Sequence, residues 1–403
     1  MRIGGVPARG LARRYGTPLY VYSAGVVCKR LDELRGAFVR RAPLICYALK
    51  ANPCRALGRV LSRAGAGADI VSGGELERAL RAGFDSAKIV FSGVGKTDGE
   101  MAAGLRAGIL AFNVESAEEL EVLARTAKRL KRRAPVSIRI NPGIDGGTHP
   151  HITTGRAENK FGVEAGEAFA LYKKAFRDPR LRVVGVQCHI GSQITTLEPF
   201  RLAAASLAKT VSRLAGAGIR LDFADLGGGI GISYEDEKTI SLAKFARVIE
   251  NTFAPWPDLR ILLEPGRFLV AEAGVLLTQV LFRKKTRKRR FLIVDASMTD
   301  LPRPALYGAW HPVEAVSRRR GARQVVDIVG PVCESSDFLA RQRRLPPLQR
   351  GDYLAVGKAG AYGFSMSSQY NSRPRAAEVL VDAGRVVLAR RRETLQDVCA
   401  AEK

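Results

Sequence analysis

The sequence predicts an α/β architecture, a closed (β/α)8 barrel followed by an all-β domain that an N-terminal strand joins. Three observations carry this. Eight short apolar runs of β-forming residues recur between residues 44 and 264. Segments rich in Ala, Leu, Arg and Glu, with helical spacing, separate most of them. After residue 275 the helical spacing stops, while strand-like runs broken by Gly, Pro and Arg clusters continue. Strands alternating with helices make right-handed βαβ units and a parallel sheet, and eight units over about 230 residues suffice to close a barrel. An open doubly wound sheet is the rival, but no GxGxxG follows the first strand.

In chain order, TPLYVYS (17–23) reads as a strand ahead of the barrel. Pairing with the β domain would tie the two ends of the chain together. The barrel runs are LICYAL (44–49), ADIV (68–71), KIVF (88–91), ILAF (109–112), VSIRI (136–140), VVGVQC (183–188), LDFADL (221–226) and RILLE (260–264). Gly74–Ala82 and Ala117–Leu130 have helical spacing between them. FLIVDAS, QVVDIVG, DYLAVGK and AEVLVDAGRVVLAR supply the strands of the β domain. The expected domains are 1–29, the N-terminal strand segment; 30–275, the barrel; and 276–403, the β domain.

Composition narrows the class. In 403 residues, 46% are hydrophobic and 26% charged, so a folded core is expected without covalent staples. The most apolar stretch, 268–282, is short and carries Glu272, and the N-terminus has no apolar signal core, so no membrane association or export is expected. Six cysteines stand at 28, 46, 54, 188, 333 and 399 with no CxxC pair. That spacing argues against a metal site or a disulfide framework and fits a cytoplasmic protein. Lys plus Arg exceeds Asp plus Glu by 65 − 39 = 26. The densest basic run is Arg283–Arg290, with smaller clusters at 318–320 and 390–392. Without zinc-finger spacing, an RNP-like aromatic motif or a basic helix leading into heptads, these read as solvated loops rather than a nucleic-acid surface.

The chemistry gathers where the barrel strands end. In order they run into Lys50, Asp69, Ser92, Asn113, Asn141, His189, Gly227-Gly228-Gly229 and Glu264. Active sites of this fold lie at the C-terminal mouth of the barrel. A lysine directly after a buried strand is partly desolvated, which lowers its pKa and frees the amine to attack a carbonyl; the alternative is a lysine snorkelling to solvent. A glycine run after the seventh strand lets backbone N–H groups approach a phosphate, or is a plain turn. In Glu264-Pro265-Gly266-Arg267 the glycine adds a possible phosphate donor, and the carboxylate suits a protonated ring nitrogen or a structural ion pair with the arginine. His189 can stack on a planar group, with the Ser192 hydroxyl in reach of phosphate, or serve as a hydrogen-bonded interior histidine. Cys333-Glu334 places a thiol beside an acid, either a proton donor or a structural cysteine.

Read together, YALKAN, GADIVSGGEL, FNVES, NPGIDGGTHPHITTG, ENKFG, HIGSQ, DLGGGIGI, EPGR, SMTDLPRPALYGAWH, GPVCESSD and GAYGFSMSSQYNSRPRAAEVLV resemble the diaminopimelate decarboxylases over nearly the whole chain. These are pyridoxal phosphate (PLP) enzymes with an alanine-racemase-like barrel. The resemblance implies that meso-2,6-diaminopimelate is decarboxylated to L-lysine and CO2, the last step of lysine biosynthesis. It implies that Lys50 carries PLP, that His189 lies on the ring face, and that Glu264 pairs with the pyridine nitrogen. Ser192, Gly227, Gly228, Gly229, Gly266 and Arg267 would surround the phosphate. Arg267, Arg303 and Tyr307 would hold substrate carboxylates, Glu334 the distal amine, and Tyr362 both cofactor and substrate. Cys333 would protonate the product carbon. Cys333 and Glu334 would come from a second subunit, which implies a homodimer. Asp69 matches an acidic residue of the family near the cofactor. Gln369 departs from the expected Asn, and the basic run 283–290 is no family feature. The readings kept beside this one are a related PLP decarboxylase for another basic amino acid or carboxynorspermidine, and a non-catalytic PLP-fold binding protein.

Overall fold

The computed structural model describes residues 1–145, 160–317 and 319–402. Most of the NPGIDGGTHPHITTG motif, the first two residues of ENKFG, and Arg318 of the second basic cluster lie outside the described residues. The chain forms two compact units. One comprises Arg30–Ile232 and Lys238–Phe268, the other Met1–Lys29, Ser233–Glu237 and Leu269–Lys403.

The first unit is the barrel. Its strands are β1 Leu44–Ala48, β2 Gly67–Ile70, β3 Ile89–Phe91, β4 Ala111–Val114, β5 Ala134–Asn141, β6 Leu181–Gln187, β7 Phe223–Asp225 and β8 Arg260–Leu263. Each pairs in parallel with the next, and β8 returns to β1 through Leu262↔Leu44 and Leu263↔Ile45. The ring therefore closes, as the alternation of strands and helices predicts. Helices fill the crossovers, and their starts follow from local chemistry: Ser72 caps Gly73–Ala82, Thr97 and Glu100 form a capping box on Asp98–Ala107, and Ser116 caps Ala117–Arg129. Gly83 and Gly108 end two of them in the left-handed conformation.

Cys46, Val90, Ala111, Val184, Phe223 and Leu262, from six of the strands, pack into one buried apolar cluster. The Phe223 ring occupies the space that a side chain at Gly185 would need, so the glycine is a packing requirement. Burying a ring of this size contributes about 1.5–3 kcal/mol. The strands thus have an apolar floor, and polar side chains gather toward their C-terminal ends.

The β unit is built on the 12-residue strand Gly274–Lys285. It pairs antiparallel with Leu19–Ser23, Arg290–Val294 and Tyr353–Val356. Leu19–Ser23 also pairs in parallel with Ala377–Asp382. The N-terminal strand therefore lies between C-terminal strands, as TPLYVYS suggests. Leu19, Val21, Leu277, Ala355, Val379 and Val381 share its core. The helix Ala8–Tyr15 precedes Leu19–Ser23, the short helix Arg303–Tyr307 lies between later strands, and Leu395–Cys399 follows the last one. Among the described residues, no helix is long and apolar enough to cross a membrane, no cluster of His, Cys, Asp and Glu could hold a metal ion, and the six cysteines are free thiols.

Candidate active site

Within the barrel unit, the predicted residues after successive strands converge. Lys50 lies in the single turn Leu49–Ala51 that follows β1. Its Nζ is 2.6 Å from Oδ2 of Asp69, a residue of β2 with no exposed area. The lysine side chain keeps 36% of its area exposed, so the pair is buried on one side only.

Glu264, directly after β8, sits at the centre of a polar cluster. Gln187 Nε2 donates to its Oε2 at 3.0 Å, and Asn113 Nδ2 lies 3.4 Å from its Oε1. Gln187 belongs to β6 and Asn113 to β4, neither of which neighbours β8, so these contacts cross the barrel interior. Asn113 Nδ2 also donates to Ser92 Oγ at 3.0 Å. Asp225, at the end of β7, accepts from the Gly227 amide at 2.9 Å, and its charge acts on Glu264. Burial first, then the Asp225 and Asp69 charges, hold the Glu264 carboxyl well above the usual carboxylate range. Burial likewise pushes Asp225 up to about 7. Two buried carboxyls whose charges repel do not both ionise as readily as either would alone. Four buried oxygens here have no hydrogen-bond partner in the protein: Asp69 Oδ1, Asn113 Oδ1, Gln187 Oε1 and Asp225 Oδ2. Such an acceptor-rich pocket favours a positively charged or N–H-bearing group.

The glycine run is anchored to this cluster. Gly227 donates to Asp225 and accepts from the Glu264 amide at 2.8 Å. The Gly228 amide donates to His189 Nδ1 at 3.1 Å. Burial, followed by the Arg139 and Lys50 charges, holds the His189 pKa well below its usual value. The imidazole is therefore neutral, and because Nδ1 accepts, its proton is on Nε2. Gly227 and Gly229 have φ of +68° and +98°, and a Cβ at Gly228 would collide with the Glu264 carbonyl oxygen. Arg267 Nη2 donates to Ser192 Oγ at 3.1 Å. Gly266 packs on Ala48 and Ala51 on either side of Lys50, where a Cβ would come within 2.9 Å of Ala51 Cβ.

Other participants were not singled out from sequence. Arg139 on β5, 6% exposed, reaches both carboxylate oxygens of Glu115 at 3.1 Å, and Glu115 also accepts from the Gly93 and Gly162 amides. Lys96 and Glu119 form a second buried pair at 2.6 Å. Burial pushes the Glu75 carboxyl to about 7, against a bond from the Val71 amide and the nearby Lys50 charge. The available signal was a charged residue within an apolar strand, as Arg139 in SIRIN. Such a residue cannot sit in a packed core without a partner.

The remaining predicted residues belong to the β unit. Arg303 is 6% exposed and its Nη1 lies 2.8 Å from His311 Nε2. Tyr307 is half-buried at the end of the same short helix. Cys333 and Glu334 are exposed. The Cys333 amide donates to Asn371 Oδ1 at 3.1 Å, and hydrogen bonds from Tyr370 and Ser336 hold Glu334 below the usual carboxylate range. Tyr362 has φ of +56°, a conformation rare for a tyrosine.

Comparison with known proteins identifies the family. Residues 25–271 match the family model described as "Pyridoxal-dependent decarboxylase, pyridoxal binding domain". A diaminopimelate decarboxylase of Pseudomonas aeruginosa is 52% identical over 99% of this chain and 95% of its own. The crystal structure of diaminopimelate decarboxylase from Helicobacter pylori complexed with L-lysine superposes with a TM-score of 0.95 at 45% identity, covering 98% of both chains. A diaminopimelate decarboxylase from M. jannaschii, also in co-complex with L-lysine, gives 0.94 at 41% identity over 99% of this chain and 95% of its own.

Proposed function

Because the chain belongs to the pyridoxal-dependent decarboxylases, and within them to the diaminopimelate decarboxylases, we propose that its barrel residues hold PLP and that the reaction is decarboxylation of meso-2,6-diaminopimelate to L-lysine and CO2. The observation that carries the site reading is the convergence of the Lys50–Asp69 pair with the Glu264 cluster inside one closed barrel.

The residues present fit the cofactor. Its aldehyde needs an amine, and Lys50 offers one against a fixed carboxylate. Its phosphate needs close-approaching amides, and Gly227 to Gly229 have no side chains to block it, with Gly266, Ser192 and Arg267 alongside. Its ring nitrogen needs an anion, and Glu264 stands among buried oxygens that lack protein donors. When bound, PLP supplies an electron sink for the pair left on the α-carbon as CO2 departs.

The chain's own groups do the rest. Lys50 would hold the cofactor through its amine, whose Nζ Asp69 orients at 2.6 Å. Neutral His189 would lie against the cofactor ring without adding charge. Glu264 would hold a proton on the ring nitrogen, whose positive charge would draw the carboxyl back toward its ionised form; without that proton the sink would be weaker. Arg267, Arg303 and Tyr307 take substrate carboxylates, and Glu334 takes the distal ammonium. Tyr362 contacts both cofactor and substrate. A substrate lacking the distal carboxylate offers Arg303 no anion and loses that contact, which discriminates against simple diamine precursors. The Cys333 thiol delivers a proton to the α-carbon after CO2 loss. Exposure of Cys333 and Glu334 supports their acting on a second copy of the chain, hence a homodimer. Six free thiols support a cytoplasmic setting.

The test is incubation of purified protein with PLP and meso-diaminopimelate, beside lysine, ornithine, arginine and carboxynorspermidine. The expected result is CO2 and L-lysine in equal amounts from diaminopimelate alone. Turnover of another member of the panel in its place would reassign the substrate.

A further inference from the structure

Arg303 opens a single helical turn and is almost fully buried. Its guanidinium carbon lies 4.5 Å from the centroid of the Tyr234 ring, and its Nη1 lies 2.8 Å from His311 Nε2. His311 has no exposed area. Its Nδ1 is 3.0 Å from the Gly357 carbonyl oxygen, and its ring meets Tyr234 edge-on with centroids 5.4 Å apart. Tyr234 belongs to Ser233–Glu237, the short piece of chain between barrel segments that is part of the β unit. Lys358 Nζ secures that piece by donating to the carbonyls of Ser233 at 2.7 Å and Tyr234 at 3.1 Å.

The partners fix the tautomer. A guanidinium nitrogen only donates, so His311 Nε2 accepts. The ring proton is then on Nδ1 and goes to the Gly357 carbonyl. The imidazole is neutral in this arrangement, because a second proton on Nε2 would point at a donor. A neutral acceptor orients a guanidinium without cancelling its charge, which a carboxylate would do. With one face on Tyr234 and one edge on His311, the guanidinium has less freedom to lose when it meets an anion.

We propose that His311 is a positioning residue for substrate recognition: as the Nδ1–H tautomer it holds the Arg303 guanidinium, backed by Tyr234, in the orientation that receives a substrate carboxylate. This rests on the reading of Arg303 as a carboxylate-binding residue. His311 itself does not touch the substrate, so its loss acts on affinity and spares the chemical step.

The experiment is steady-state kinetics with meso-diaminopimelate on PLP-loaded enzyme for His311→Leu, His311→Gln, Arg303→Ala and the Arg303→Ala/His311→Leu double variant. His311→Leu should raise KM about tenfold and leave kcat within about threefold. His311→Gln, whose amide oxygen can accept from Arg303, should restore most of the affinity. In the Arg303→Ala background, adding His311→Leu should change KM less than about twofold, since coupled residues are non-additive. Should the leucine variant fail to fold, His311→Asn serves in its place: its amide can still donate to Gly357 but is too short to reach Arg303, so the same rise in KM is expected. An Arg303→Ala enzyme with unchanged KM removes the underlying reading. A raised KM in Arg303→Ala with none in His311→Leu or His311→Asn, or multiplying effects in the double variant, overturns the positioning role alone.

Discussion

Replacing Gly227 by alanine separates the chemistry of the glycine run from its flexibility. Gly227 has φ of +68°, where an alanine costs about 1–2 kcal/mol. A Cβ there would lie 2.5 Å from the Cys188 carbonyl oxygen and 2.8 Å from His189 Nδ1, whereas real Cβ contacts under 3.0 Å are essentially never seen. Something must move by about 0.5 Å, and crowding of this kind costs about 1–3 kcal/mol. The residue cannot simply retreat, because its amide and carbonyl are tied to Asp225 and Glu264. The His189 ring or the glycine run shifts instead. The summed cost is about 2–5 kcal/mol of stability. A displacement of about 1 Å at a reacting centre can cost 10²-fold, so about tenfold in kcat/KM follows here. Gly108 is the control: it has φ of +69°, ends the helix Asp98–Ala107, and has open space around a Cβ. Gly108→Ala should lose stability by strain alone and keep its activity. The assays are thermal unfolding, PLP titration by absorbance, and kcat/KM on loaded enzyme. Gly227→Ala with the cofactor affinity and kcat/KM of Gly108→Ala would refute the placement of PLP against this run.

Two further predictions concern single groups. A carboxyl whose pKa is raised by folding stabilises the fold at low pH and loses that contribution as pH rises, because the unfolded chain releases its proton first. Asp225, up to about 7 from 3.8, therefore makes the cofactor-free protein less stable between about pH 4 and 7; the thermal midpoint should fall over this range in wild type and fall less in Asp225→Asn. Cys333→Ala should bind PLP and diaminopimelate normally, while kcat drops by about 10²-fold, the usual scale for loss of a positioned proton donor; stopped-flow and steady-state rates check this, and an unchanged kcat would give the proton to another group.

The barrel was legible because its signal is local. Each strand is a short apolar run, several helices carry their own caps, and the residues proposed for the chemistry stand at strand ends, where a linear reading finds them. Lys50, His189, Gly227 and Glu264 were visible in this way. Asn113 was named only as the end of a strand, and Gln187 was not singled out, because their role depends on meeting Glu264 across the barrel from strands that are not its neighbours; Asp225 was missed because nothing local marks its charge as acting on Glu264. The Glu115–Arg139 pair escaped for the same reason: a charge inside a strand announces a need for a partner, but not which one. Strand limits moved by a few residues, as in Phe223–Asp225 against the expected 221–226, since the end of a ladder depends on the neighbouring strand. Least legible was Ser233–Glu237, which follows DLGGGIGI in sequence yet belongs to the β unit, where Tyr234 meets Arg303 and His311. No local pattern marks a five-residue excursion held by a lysine more than a hundred positions away.

Borohydride reduction of the PLP-loaded protein, followed by mass mapping of its peptides, addresses the whole account at one atom. The reduced cofactor should be found on the peptide containing Lys50 and on no other, with no incorporation into Lys50→Ala. Recovery of the adduct on Lys96, Lys358 or any other lysine would contradict the assignment on which the roles of Asp69, His189 and Glu264 depend.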